Sequence, residues 1–244
     1  MIPKLVHYCW FGNQAMPDKV LKNIQSWKSS NPDYKFIEWN EQNFDINSSS
    51  FVKEAYSEEK WAFVTDYVRL YAVYNYGGFY FDTDVQLVKK LDEVNKVFPS
   101  GFMGFQGDNL VASGLGFAAP SKKKIIKEMM DVYNSVEFDE KKLENISCPI
   151  LNTNVLIAHG LKRNGSIQSI DGLTILPKEF LCPLDLEHGK KEIDDNTIAI
   201  HYYNASWMSS YQRTRMHIIL NVKRIIPQKL ITYLRKMLRR FYSN

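Results

Sequence analysis

Two aspartates one residue apart, Asp82 and Asp84, close the apolar run Phe79-Tyr80-Phe81. In an extended strand, positions i and i+2 face the same side, so both carboxylates are expected to point one way. Adjacent carboxylates repel unless a cation lies between them. The economical cation is a hard divalent ion, Mg2+ or Mn2+, held by oxygen ligands together with substrate phosphates. A solvated strand end can also carry Asp-x-Asp, so the spacing alone does not decide. Asp66 and Arg69 come shortly before, on a stretch with helical periodicity. Three residues apart, they share a helix face and can pair or jointly hold a polar ligand. A buried ion pair with a packing role is the other reading of these two residues.

Positioning these four side chains takes a helix, a tight turn and a strand. Glu58 to Tyr76 reads as the longest helix, capped by Ser57, with Glu58 and Glu59 at its amino end and Gly77-Gly78 ending it. Phe63, Val64, Tyr67, Leu70, Tyr71, Val73 and Tyr74 cover most of its circumference. The helix is therefore expected to be buried, which makes its charged members conspicuous. Upstream, Ile2 to Cys9 reads as a strand that turns at Trp10-Phe11-Gly12. A helix runs from Pro17 until Asn31-Pro32 stops it, and Tyr34 to Trp39 reads as the second strand. Downstream, Phe102 to Phe105 and Gly114 to Ala119 read as strands, Ser121 to Tyr133 as a surface helix, Asn152 to His159 as a short helix and Ile198 to Tyr202 as a late strand. This order predicts an α/β sandwich, with right-handed crossovers where neighbouring strands run parallel.

The 244 residues suffice for one large domain, or a domain with a tail. With 45% apolar, 14% aromatic and 24% charged residues, the composition excludes disordered, collagenous and repeat-array chains. No apolar run reaches the roughly 18 to 20 residues that span a bilayer, and Met-Ile-Pro-Lys is not the start of a secretory signal. Cys9, Cys148 and Cys182 are scattered and lack Cys-x-x-Cys spacing, which predicts reduced thiols in the cytoplasm and no zinc site. The net charge of +4 is unevenly spread: residues 212–244 hold nine Lys or Arg and no acidic residue, leaving 22 basic against 27 acidic residues in 1–211. A body of residues 1–211 and a tail of 212–244 are expected to do different jobs. After Pro227, the residues Leu230, Leu234, Met237, Leu238 and Phe241 form an apolar stripe among Lys229, Arg235, Lys236, Arg239 and Arg240. That predicts a basic amphipathic helix, suited to an anionic membrane surface or to docking on the acidic body. Basic charge confined to one tail without a recognition motif argues against nucleic acid.

Ala62-Phe63-Val64-Thr65-Asp66-Tyr67-Val68-Arg69-Leu70-Tyr71 and Tyr76-Gly77-Gly78-Phe79-Tyr80-Phe81-Asp82-Thr83-Asp84-Val85 resemble the sugar-nucleotide-binding region of glycosyltransferase family 32. That family includes bacterial capsule and polysaccharide glycosyltransferases and yeast mannosyltransferases. Ile2-Pro3-Lys4 through His7 with Trp10-Phe11-Gly12 resembles the family's opening strand, and His201 to Trp207 its closing motif. The resemblance implies a GT-A type nucleotide-binding α/β sandwich with a mixed central sheet, and transfer of a hexose from a nucleotide sugar, UDP-linked, with retention of configuration. It implies Trp10 stacked on the base, Asp66 and Arg69 on donor-sugar hydroxyls, Asp82 on ribose and metal, and Asp84 as a direct ligand of Mn2+ or Mg2+. His201, Ser206 and Trp207 would approach the diphosphate. The implied acceptor is a glycan, lipid-linked if the tail holds the protein on the inner face of the plasma membrane, and the implied setting is surface polysaccharide synthesis.

Transfer of this kind needs charge stabilisation on a leaving diphosphate more than acid or base chemistry. The absence of an obvious paired nucleophile and base in the sequence fits front-face attack, with a covalent carboxylate intermediate as the rival. Two other classes remain. Haloacid-dehalogenase-like phosphatases also place Asp-x-Asp after an apolar strand, but with Thr or Val two positions beyond the second Asp, where this chain has Gln86. A non-catalytic sugar-binding or membrane-anchoring protein would not need two metal carboxylates.

Overall fold

The structure, a computed structural model, describes residues 2–107, 109–139, 143–185, 190–191 and 193–203. The chain opens with β1 (Leu5–Cys9), α1 (Asp18–Ser30) and β2 (Lys35–Trp39). Next come α2 (Ser50–Ser57), α3 (Trp61–Tyr76), β3 (Gly78–Tyr80), β4 (Val85–Leu87) and α4 (Leu91–Val97). The middle of the chain forms β5 (Phe102–Gln106), β6 (Leu110–Ala112), β7 (Phe117–Ala119), α5 (Lys124–Ser135), α6 (Cys148–Ala158), β8 (Gln168–Ile170) and β9 (Leu173–Leu176). The last described elements are β10 (Leu184–Asp185), β11 (Lys190–Lys191) and β12 (Ala199–His201). Two compact units result. One runs to residue 183 and includes 193–203; the other contains the antiparallel pair β10 and β11.

In the larger unit a mixed sheet has the strand order β2-β1-β3-β7-β5-β9-β8, with β6 also paired to β5. β1 runs parallel to both β2 and β3, while β7 pairs antiparallel with β3 and β5. Apolar clusters cover both faces. Phe63, Val64, Leu70 and Val73 of α3 pack with Phe51 of α2 and Met129 and Tyr133 of α5 on one side. Ile24 and Trp27 of α1 pack with Val6, Phe79 and Phe81 on the other. Parallel strands β1, β2 and β3 end at Cys9, Trp39 and Tyr80, so one edge of the sheet gathers the loops beyond them. Crevices of this kind, beyond the carboxyl ends of parallel strands, are where open α/β sheets bind ligands.

The helix expected over Glu58 to Tyr76 starts three residues late, and a separate helix, α2, precedes it. α2 ends at Ser57, whose hydroxyl donates back to the Glu54 carbonyl at 2.8 Å instead of capping α3. Glu59 takes a left-handed φ of 54°, and α3 starts only at Trp61. Gly77 and Gly78 have φ of 66° and 106°, and a Cβ on Gly78 would lie 2.7 Å from the Leu5 carbonyl, so glycine lets α3 turn back tightly against β1. The helix at Cys148–Ala158 begins four residues earlier than its periodicity suggests, because Pro149 occupies its first turn. Among the described residues no helix is long and apolar enough to cross a membrane. Residues 212–244, with their predicted amphipathic helix, lie outside the described residues.

Candidate metal and donor site

α3 is apolar around most of its circumference, so burying it also buries Asp66 and Arg69. They pair at 2.8 Å through Arg69 Nη1 and Asp66 Oδ1. The other terminal nitrogen of Arg69 reaches Asp82 Oδ1 at 3.1 Å, so one guanidinium bridges a helix carboxylate and a strand-end carboxylate. Burial pushes the Asp66 carboxyl up to about 7, against the opposing pull of Arg69. Burial disfavours the Arg69 charge too, yet Asp82, Tyr80 and Asp66 keep its pKa well above the usual value. Tyr80, the last residue of β3, donates its hydroxyl to Asp82 Oδ1 at 2.6 Å, and its ring centroid lies 5.2 Å from the guanidinium carbon. Gly114 backs the pair: a Cβ there would stand 2.9 Å from Asp82 Oδ2 and 3.1 Å from Arg69 Nη1. Any larger residue would push into the ion pair.

Strand geometry does not align the two aspartates as expected. β3 stops at Tyr80, and Asp82-Thr83-Asp84 forms a turn closed by the Val85 N–H donating to the Asp82 carbonyl at 2.9 Å. The carboxylates converge through that turn. β4, just beyond it, pairs antiparallel with β12 and sets His201 opposite Val85. From there His201 Nε2 lies 3.2 Å from Asp84 Oδ1 and 3.7 Å from Asp82 Oδ2. Burial disfavours its charge, but hydrogen bonds to the two aspartates and their charges raise its pKa to about 9.

Asp82, Asp84 and His201 each offer a ligand atom, all within 4.8 Å of one another. Atoms bound to one ion at about 2.1 Å can be up to roughly 4.2 Å apart, so small side-chain shifts would let all three bind Mn2+ or Mg2+. Two hard carboxylates and one imidazole also suit such an ion, leaving further positions for phosphate oxygens. The residues present therefore fit a divalent metal.

Behind this cluster the amino end of α6 points at the ion pair. The Cys148 backbone N–H donates to Asp66, and its thiol lies 3.4 Å from Arg69 Nη1 and 3.3 Å from the Ser113 hydroxyl. Burial raises that thiol to about 11, so it packs as a neutral group and is not an activated nucleophile.

Asp66, Arg69, Asp82, Asp84 and His201 thus form one connected cluster. Trp10 belongs to a neighbouring strand end: it lies just after β1, its N–H donates to the Trp39 carbonyl at 2.9 Å, and its indole N–H donates to the Gln14 carbonyl at 2.6 Å. Ser206 and Trp207 lie outside the described residues. Sequence reasoning does not find Tyr80, Gly114 or Cys148. Tyr80 alone has a visible signal, its place two residues before Asp82 at a strand end. Gly114 and Cys148 reach the cluster only through tertiary packing.

Residues 17–99 match the family model described as a glycosyltransferase sugar-binding region containing a DXD motif. The matched stretch holds Asp66, Arg69, Asp82 and Asp84 but neither Trp10 nor His201. Inositol phosphoceramide mannosyltransferase 3 of Schizosaccharomyces pombe is 31% identical over 127 residues, 43% of this chain and 33% of that protein. Mannosyl phosphorylinositol ceramide synthase CSH1 of Saccharomyces cerevisiae is 30% identical over 105 residues, 40% of this chain and 27% of that protein. The chain therefore spans about a third or less of the length of these curated relatives. Among solved structures, the PaToxG glycosyltransferase aligns with a TM-score of 0.53 at 20% identity, covering 64% of this chain and 69% of that one. That likeness shows a shared GT-A fold.

Proposed function

We propose that this protein is a metal-dependent retaining glycosyltransferase that moves a hexose from a nucleotide sugar to a glycan acceptor. The observation that carries the reading is the meeting of Asp82, Asp84 and His201 beside the buried Asp66–Arg69 pair, at the carboxyl edge of a parallel strand trio. A divalent ion held by those three ligands would supply positive charge against the diphosphate as it leaves the sugar. Arg69 holds Asp82 in place, and Tyr80 braces it from the other side. We propose that Asp66 and Arg69 bind hydroxyls of the donor hexose and that Trp10 stacks on the base. Ser206 and Trp207 are proposed to approach the diphosphate from the segment after β12. Cys148 is a neutral, buried thiol, which fits front-face attack without a cysteine nucleophile.

UDP-hexoses are the first donors to consider. The mannosyl group in the names of both yeast relatives supports testing mannose donors beside them. Those names also contain an inositol-phosphate ceramide, a lipid, which supports a lipid-linked acceptor here. We further propose that the basic stripe over residues 227–244 holds the enzyme at the cytoplasmic face of the plasma membrane, in surface polysaccharide synthesis. The deciding experiment screens the purified protein against UDP- and GDP-sugars with Mn2+, reading released nucleoside diphosphate, beside Asp84→Asn. Release that depends on both the ion and Asp84 supports the reading. Unchanged turnover in chelator, or in Asp84→Asn, overturns it.

A further inference from the structure

α1 supplies no ligand to the metal cluster, yet two of its side chains grip the backbone that carries Asp84. Asn23 Nδ2 donates to the Thr83 carbonyl at 2.9 Å and to the Val85 carbonyl at 2.8 Å. Trp27, four residues on, donates its indole N–H to the same Val85 carbonyl at 2.9 Å. These two carbonyls flank Asp84 on either side. An Asn23 amide turned the other way would set its oxygen against two carbonyl oxygens, so only the NH2 group fits there. Spacing of i and i+4 makes the two side chains neighbours on one helix face. Trp27 is fully buried against Tyr8 and Phe81, so α1 is anchored where it makes this grip.

The Val85 N–H closes the turn and the Asp84 carbonyl accepts from the Tyr202 N–H at 3.1 Å, while the Thr83 carbonyl, just before Asp84, is held by the Asn23 amide. Rotating the plane after Thr83 would swing the Asp84 carboxylate relative to Asp82 and His201, and the hold on the Val85 carbonyl anchors the amide that prevents it. We infer that Asn23 is a positioning residue of the metal turn: by holding both carbonyls, it aims Asp84 at the ion. Asn23 is not one of the three candidate ligands and acts through the backbone on either side of Asp84. Partners of this kind orient metal ligands from behind, and losing one typically weakens metal binding about 10- to 100-fold. The inference rests on the metal reading proposed above.

The test titrates wild type, Asn23→Leu and Asn23→Ser with Mn2+ alone, reading free ion by electron paramagnetic resonance, beside melting curves in chelator. Both variants are expected to bind Mn2+ about 10- to 100-fold more weakly, while melting close to wild type when no metal is present. Half-saturating Mn2+ for transfer should rise, with turnover at saturating Mn2+ near that of wild type. Gln25→Ala, exposed on the same helix, should leave all three measurements unchanged. If Asn23→Leu fails to fold, the smaller polar Asn23→Ser carries the same comparison. Unchanged Mn2+ affinity in a folded variant overturns the positioning role and leaves the metal reading standing. A wild type that binds no divalent ion overturns both.

Discussion

The Tyr80 hydroxyl donates to Asp82 Oδ1 at 2.6 Å, the oxygen that Arg69 also reaches at 3.1 Å. The first aspartate of the pair is therefore held by a buried phenol and a guanidinium before any ligand arrives. Tyr80→Phe keeps the ring over the guanidinium and removes only the hydroxyl. Loss of a buried hydrogen bond to a charged group should cost about 1.5 to 3 kcal/mol, seen as a lower denaturation midpoint with an unchanged slope. Mn2+ binding should weaken as well. A variant as stable as wild type would show that Tyr80 does not brace Asp82.

Arg69→Ala removes the guanidinium that bridges Asp66 and Asp82, both of which lie in or beside the core. Breaking a buried pair in this way costs about 3 to 5 kcal/mol. Asp66→Ala should cost less, because burial already holds the Asp66 carboxyl up to about 7 and leaves Asp82 to neutralise Arg69. In whatever fraction stays folded, both variants should bind the nucleotide sugar more weakly while keeping most affinity for the nucleoside diphosphate. Melting curves beside calorimetric titrations with the two ligands separate recognition from folding. Equal loss for both ligands would assign the pair a structural role alone.

Acid should destabilise the fold through His7. Its Nδ1 accepts the Trp39 indole N–H at 3.2 Å and its Nε2–H donates to the Gly77 carbonyl at 2.8 Å, an arrangement that requires the neutral ring. Full burial lowers its pKa from 6.5 to about 4. The unfolded chain takes up a proton below about 6.5 that the folded chain refuses. Stability is therefore complete above 6.5 and is lost as pH falls toward 4, by about 3 kcal/mol from this group. His7→Gln should be less stable at neutral pH but should lose less between 6.5 and 4. Equal acid slopes for the two proteins would exclude His7 as the cause.

Deleting residues 227–244 should release the protein from vesicles containing anionic lipid in a co-sedimentation assay, with donor turnover in solution preserved. Each basic group is worth up to about 1 kcal/mol near such a surface at low salt. Binding equal to that of the full chain would remove the membrane role. Loss of folding on deletion would favour a helix docked on the acidic body.

Much of this site is legible in the sequence because its first four residues lie within 19 positions, two on a helix of clear apolar periodicity and two just past a short strand. The apolar wrap of α3 predicts burial of Asp66 and Arg69, and i, i+3 spacing predicts their pairing. Strand periodicity gives a wrong reason for the convergence of Asp82 and Asp84: β3 is only three residues long and the motif is a turn. The start of α3 is read three residues early because Glu58 and Glu59 look like an acidic first turn, and a left-handed Glu59 has no signature in the sequence. Asn23 looks like one more polar position on an amphipathic helix. Its two acceptors lie 60 and 62 residues away, beyond the reach of any local pattern.

The pairing of β12 with β4 also has a temporal side. The Tyr202 hydroxyl and Gln86, at the edge of that ribbon, are separated by 116 residues of chain. Synthesis proceeds from the amino end, and contacts so distant in sequence form late and slowly. On the ribosome, the two aspartates emerge long before the histidine that completes their trio. The growing polypeptide therefore cannot bring Asp82, Asp84 and His201 together until nearly all of the described chain has been made.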